Sequence, residues 1–168
     1  MKKSIFALIL TLFVISGFTF ANNEIKGETP AKSAKKAWEA TPEGIAFKKW
    51  EASPAGKKVY AGEAKIRKSI REFTNMNGVV TSLTLPQGSR LGFGVMVKMN
   101  GEDYILAFGI ESKHEFDQLR KLKVNDKIMI KSRNVSHAPK YAYPIVAGDN
   151  IERNGKLIYK RIPGKGGC

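Results

Sequence analysis

Residues 93–108 read FGVMVKMNGEDYILAF, and this stretch decides what kind of fold the chain adopts. Phe93 to Met99 is a short apolar run, and Asp103 to Phe108 (DYILAF) is another. β-Branched and aromatic residues of this kind suit a pleated, half-buried surface. Asn100-Gly101 stands between the runs. Both residue types accept the positive φ of a tight turn whose twist matches two antiparallel strands. The stretch therefore predicts a β-hairpin.

Outward from that hairpin, the second half of the chain continues to read as strands. Gly78 to Leu85 (GVVTSLTL) is β-branched and stops at the turn cluster Pro86-Gln87-Gly88-Ser89. On the other side, Ser112 to Leu122 carries Phe116, Leu119 and Leu122 at helical spacing, with Ser112 and Glu115 as a capping pair. Lys127 to Val135 (KIMIKSRNV) alternates apolar and polar residues. Tyr141 to Val146 and Lys156 to Ile162 are further strands, with Asn154-Gly155 as a second turn signal. Pro144 has no N–H to give a ladder, so its strand is expected at an edge or bulged.

Three strands, a helix and two or three more strands resemble the order of OB-fold domains, five-stranded Greek-key barrels with a helix between strands 3 and 4. Leu122-Lys123-Val124-Asn125-Asp126-Lys127-Ile128-Met129-Ile130 resembles the entry to the fourth strand of such domains. Tyr143-Pro144-Ile145-Val146, with Ile151 and Gly155-Lys156-Leu157-Ile158, resembles the closing strand pair. The resemblance covers about residues 76–162 and is to exported bacterial domains of this class. It implies a mainly β domain, which together with the helical reading of residues 38–73 gives a mainly β fold with N-terminal helices. It also implies a ligand, often an oligonucleotide or oligosaccharide, on one barrel face and its loops. The residues placed to serve are Arg90 after the first strand, Lys127, Lys131 and Arg133 on the fourth, and Lys140, Tyr141 and Tyr143 beyond it. Cations beside flat rings are what single-strand binding uses. Lysines on outward strand positions also simply protect edges.

The first half reads differently. Trp38-Glu39-Ala40-Thr41-Pro42 returns as Trp50-Glu51-Ala52-Ser53-Pro54, twelve positions on, and Thr29-Pro30 stands twelve earlier. A Ser or Thr hydroxyl before Pro caps a helix start, and Pro at the first helical position gives up no hydrogen bond. A short helix is expected over 42–51 and a longer one over about 54–73, after a flexible lead over 22–37. Val59, Ile66, Ile70 and Phe73 form the inner stripe of the longer helix, while Lys57, Lys58, Lys65, Arg67, Lys68 and Arg71 occupy much of the rest. Trp38 and Trp50 are candidates for docking on an envelope component or membrane surface.

Charge narrows the partners. Lys and Arg number 29 against 15 Asp and Glu. Residues 75–122 balance, whereas residues 123–168 hold ten basic residues against three acidic ones. An anionic polymer, nucleic acid or acidic glycan, is the expected partner. The start, Met1-Lys2-Lys3 and then an apolar run from Ile5 to Ile15, has the layout of an export signal cleaved after Ala21, with retention as an anchor the rival reading. The protein is accordingly expected in the periplasm or secreted. Cys168, the sole cysteine, can form only an intermolecular disulfide and so a linked dimer; an incidental thiol is the simpler reading.

Catalytic residues, a metal and a cofactor are not expected. His114 and His137 have no partner at ligand spacing, and no Ser or Cys motif flanks either. A secreted OB-fold nuclease would need clustered carboxylates with an Arg clamp, which Glu102, Asp103, Asp126, Asp149 and Glu152 do not form along the chain.

Overall fold

The structure, a computed structural model, describes residues 30–109 and 113–162. The apolar leader, the Ser112–Glu115 pair and the tail ending in Cys168 lie outside the described residues.

The described residues open with three helices, α1 (Pro30–Glu39), α2 (Pro42–Ala52) and α3 (Pro54–Glu72), each starting on a proline. Residues 30–37, expected in a flexible lead, belong instead to α1. The near-repeat is a helix corner built twice. Thr41 Oγ1 accepts from the Gly44 N–H at 3.1 Å and donates to the Trp38 carbonyl at 2.8 Å. Ser53 Oγ does the same with the Gly56 N–H at 3.1 Å and the Trp50 carbonyl at 2.6 Å. One hydroxyl thus satisfies an end group of the outgoing helix and one of the incoming helix. Glycine is required three residues after each hydroxyl. A Cβ on Gly44 or Gly56 would stand 2.2 Å from the Trp38 or Trp50 carbonyl oxygen.

α3 turns Val59, Gly62, Glu63 and Ile66 inward. It stops at Phe73, which adopts the left-handed conformation with φ of 52°. There follow β1 (Met76–Ser82), β2 (Gly94–Met99), β3 (Glu102–Ala107), α4 (Lys113–Leu119), β4 (Lys127–Lys131), β5 (Asn134–Ser136), β6 (Ile145–Ala147), β7 (Asn150–Arg153) and β8 (Lys156–Lys160). The β2–β3 hairpin is as the sequence predicts, with Asn100 and Gly101 at φ of 48° and 80°.

Among the described residues, all eight strands belong to one sheet in the order β5-β6-β3-β2-β1-β4-β7-β8, mixed with four helices. The described residues therefore hold eight strands in an open sheet, not the five of the expected barrel. Two local causes raise the count. The run from Lys127 to Val135 breaks at Ser132, whose hydroxyl donates to the Asn134 carbonyl at 2.8 Å and accepts its N–H at 3.1 Å. A side chain that bonds the backbone two residues on competes with the ladder. Asn154-Gly155 then closes a hairpin that β7 and β8 make between themselves, beside β4. Pro144 falls just before β6, and its carbonyl accepts from Ile105 at 2.9 Å.

The main core gathers Ile66 of α3 with Val80, Val97, Tyr104, Leu106, Ile130, Val146 and Ile151 from the strands. Tyr104 is fully buried and its hydroxyl donates to the Gly62 carbonyl at 2.9 Å, which ties α3 to β3. A side chain at Gly62 would press on Pro144, 3.1 Å away. Burial, then the Glu102 charge, pushes the Tyr104 phenol up to about 12.

Candidate functional site: an outward groove on β4

Alternation along β4 sends Ile128 and Ile130 into the core and leaves Lys127, Met129 and Lys131 on the outer side. Register supplies their neighbours. On β1, Val79 lies opposite Lys127 and Asn77 opposite Met129. On β7, Glu152 lies opposite Met129 and Asn150 opposite Lys131. Lys160 of β8 extends that last row beyond Asn150. The result is a groove of about 390 Å³ floored by Val79 and Met129 and edged by Asn77, Lys127, Glu152, Asn154 and Gly155. That volume is within the range of ligand-binding clefts. No described residue hydrogen-bonds or ion-pairs with the side chains of Asn77, Lys127, Glu152 or Asn154. An ammonium, a carboxylate and two amides therefore face solvent over an apolar floor.

Beyond the groove, Arg133 lays its guanidinium 3.6 Å from the Phe73 ring centre, and Lys131 approaches the same ring at 5.7 Å. Asp149 orients this end by accepting the Arg133 N–H at 2.7 Å. The outer side of α3 is also cationic: Lys57, Lys58, Lys65, Arg67, Lys68 and Arg71 are all exposed along about 21 Å of helix. Lys65 alone among them forms a salt bridge outside the helix, to Glu102 at 2.5 Å, and Lys58 adds a longer-range attraction to the same carboxylate.

The residues singled out from the sequence divide into two groups. Lys127, Lys131 and Arg133 share β4 and its continuation. Arg90, Lys140, Tyr141 and Tyr143 come together elsewhere. The Tyr141 hydroxyl lies 3.2 Å from Ser89 Oγ and accepts from the Arg90 N–H at 3.2 Å. Lys140 sits 4.8 Å over the Tyr141 ring. Tyr141 is only 3% exposed, in a second core cluster with Met96, Ile105 and Ile145 against which Tyr143 packs. Burial pushes its phenol up, but hydrogen bonds from Ser89 and Lys140 outweigh that and lower it. This ring braces the loops and offers no free face to a base.

The tryptophans also part company. Trp38 is 43% exposed with its edge against Phe47. Trp50 is engaged within the chain, 5.6 Å from the His137 ring and 6.0 Å from Tyr60. Nothing in the sequence marks Asn77, Glu152 or Asn154 as a groove residue, because only strand register brings β1 and β7 alongside β4.

Among the described residues no group of three or more His, Cys, Asp or Glu could hold a metal ion, and no helix is long and apolar enough to cross a membrane. Comparison with protein-family models, with curated proteins and with solved structures gives no match.

Proposed function

We propose that this is an exported, non-enzymatic binding module whose β4 groove takes an anionic polymer, and that the polymer is an acidic glycan in preference to an oligonucleotide. The groove lined by unpartnered Lys127, Asn77, Asn154 and Glu152 is the observation that carries this reading. Lys127 and Lys131 are four residues apart, so the anion that engages both carries charges on the order of 13 Å apart. That span suits a chain and not a single phosphate. The lining holds no aromatic ring. Base stacking needs one, whereas amide and carboxylate groups over an apolar floor suit the hydroxyls and C–H face of a sugar. The cationic side of α3 adds long-range attraction for the same class of ligand.

We further propose that the sheet closes in an OB-like manner. β1 is flanked by β2 and β4, β3 by β2 and, in parallel, β6, and β6 by β5. Only Ser132 and Arg133 separate β5 from β4 along the chain, which supports closure there, while the hydrogen-bonded order itself runs open from β5 to β8. The apolar leader supports export. The test is a competition between a sulfated hexasaccharide and a thymidine oligonucleotide of equal charge, followed by fluorescence anisotropy. The glycan is expected to bind more tightly, and Asn77→Ala to weaken it while leaving the oligonucleotide unchanged. Equal affinity, with no effect of Asn77→Ala, contradicts the assignment.

A further inference from the structure

Where α2, α3 and the segment after β5 meet, four side chains form an unbroken series of contacts. His137 Nδ1 lies 2.6 Å from Glu63 Oε1, and its Nε2 lies 3.0 Å from Tyr60 Oη. Tyr60 Oη in turn donates to Glu51 Oε1 at 2.5 Å. Glu63 is 6% exposed. The imidazole is flanked by Phe47 and Trp50 of α2, at 5.9 and 5.6 Å, and by the Tyr60 ring at 4.6 Å. Through His137, Phe47 and Trp50 reach the strand half of the chain. Neither Glu51 nor Glu63 forms a salt bridge with a lysine or arginine among the described residues, although Glu51 and Lys48 of α2 attract each other through space.

Counting protons shows what this arrangement requires. Three contacts between electronegative atoms need three protons. The Tyr60 hydroxyl supplies one, directed to Glu51. Burial, then the bond to Glu51 and the charges of Glu51 and Glu63, push that phenol up to about 12, so it keeps its proton. A neutral imidazole facing an ionised Glu63 supplies only one more. The third contact requires an added proton, held on the ring or on the Glu63 carboxyl.

We propose that Glu51, Tyr60, His137 and Glu63 form a proton-loaded latch, which holds α2 against the strand half of the chain in acid and releases it as pH rises. The sign follows from the count. The docked state binds one proton more than a released state in which the imidazole and the Glu63 carboxylate each stand in water. Docking is therefore favoured in acid and weakens as pH rises, by up to about tenfold for each pH unit over which that proton is lost. The facing groups are Glu51, Phe47 and Trp50 from α2 and Tyr60 and Glu63 from α3; Lys48 of α2 is committed to Glu39 at 2.9 Å. Release bares Phe47 and Trp50, so the same contacts gate an apolar surface.

Glu63→Gln separates a latch from a merely structural contact. A carboxamide N–H can donate to Nδ1 while Nε2–H donates to Tyr60, so a neutral ring completes all three contacts. Hydrogen exchange on the full chain, corrected for intrinsic rates, is read between pH 5.5 and 8.5. Protection in α2 is expected to fall by up to about tenfold per unit relative to the β2–β3 hairpin, and to stay level in Glu63→Gln. Level protection in the unaltered protein, or the unaltered slope in Glu63→Gln, overturns the proposal. Imidazole ¹⁵N shifts of the unaltered protein at pH 5.5 give a reading free of any folding defect. Two protonated nitrogens, or one beside a protonated Glu63 carboxyl, support the latch; a neutral ring facing an ionised Glu63 refutes it.

Discussion

Gly56→Ala tests the helix corner, because ordinary propensity and this structure predict opposite signs. At an unconstrained helix position, alanine in place of glycine stabilises by about 1 kcal/mol. At Gly56 the new Cβ would lie 2.2 Å from the Trp50 carbonyl oxygen and 3.0 Å from Glu51 Cα, all backbone that no rotamer change can clear. A relaxed carbon–oxygen contact is about 3.3–3.6 Å, so α3 must draw back from α2 by on the order of 1 Å. That retreat lengthens the Ser53 cap bond, now 3.1 Å, and pulls Tyr60 from Glu51. Overpacking costs about 1–3 kcal/mol and a lost cap about 1 kcal/mol. Less the propensity gain, the net loss is about 2 kcal/mol. Urea unfolding should show a lower midpoint with unchanged slope. Gly44→Ala meets the same 2.2 Å clash, but α1 buries no residue and can swing aside, so its global loss should be under about 1 kcal/mol. A Gly56→Ala protein as stable as its parent, or more so, refutes the corner geometry.

Alkaline titration followed by tyrosine absorbance should show Tyr60 and Tyr104 lagging, with ionisation at about 12. Both phenols are raised above their ordinary value near 10, so their contribution to stability is full below that pH and is lost as pH climbs from 10 to 12. Ionisation of both near pH 10 in a still-folded chain contradicts their burial. At the acid end, burial pushes Asp126 up, but the Lys123 N–H at 2.8 Å and Arg153 at 2.9 Å outweigh it and hold the carboxyl below its ordinary range. Its contribution is present above the unfolded carboxylate value and lost as pH falls. Asp126→Asn should cost about 1 kcal/mol near neutrality, after allowance for solvent screening, and flatten the acid limb; an unchanged acid limb would remove Asp126 from the explanation.

Much of the strand half was legible because its signals are local. Asn100-Gly101 specifies a turn by its own backbone preferences, and the alternation of Lys127, Met129 and Lys131 against Ile128 and Ile130 gives the two sides of β4 directly. The proline-led helices α2 and α3 were legible for the same reason, whereas most of α1 was read as a flexible lead; the glycine of each corner was not legible, since its need arises from a carbonyl on the preceding helix. Ser132 was read as one more polar position in an alternating strand; its hydroxyl bonds the neighbouring backbone and divides the run. The edges of the groove come from β1, β4 and β7, which are brought together only by register. The contact between His137 and Glu63 spans 74 positions along the chain, beyond the reach of any spacing rule. Tyr141 looked like an exposed ring beside lysines, but hydrophobic burial against Met96 and Ile105 claimed it for the core.

The most direct measurement of the binding proposal is the salt dependence of affinity for a sulfated hexasaccharide, in the unaltered protein and in Lys127→Ala/Lys131→Ala. Each ammonium that neutralises an anion contributes about one unit to the slope of log affinity against log salt. The double variant should therefore bind more weakly at low salt, with a slope shallower by about two. Identical slopes and affinities in the two proteins would mean that the β4 groove does not hold the anion.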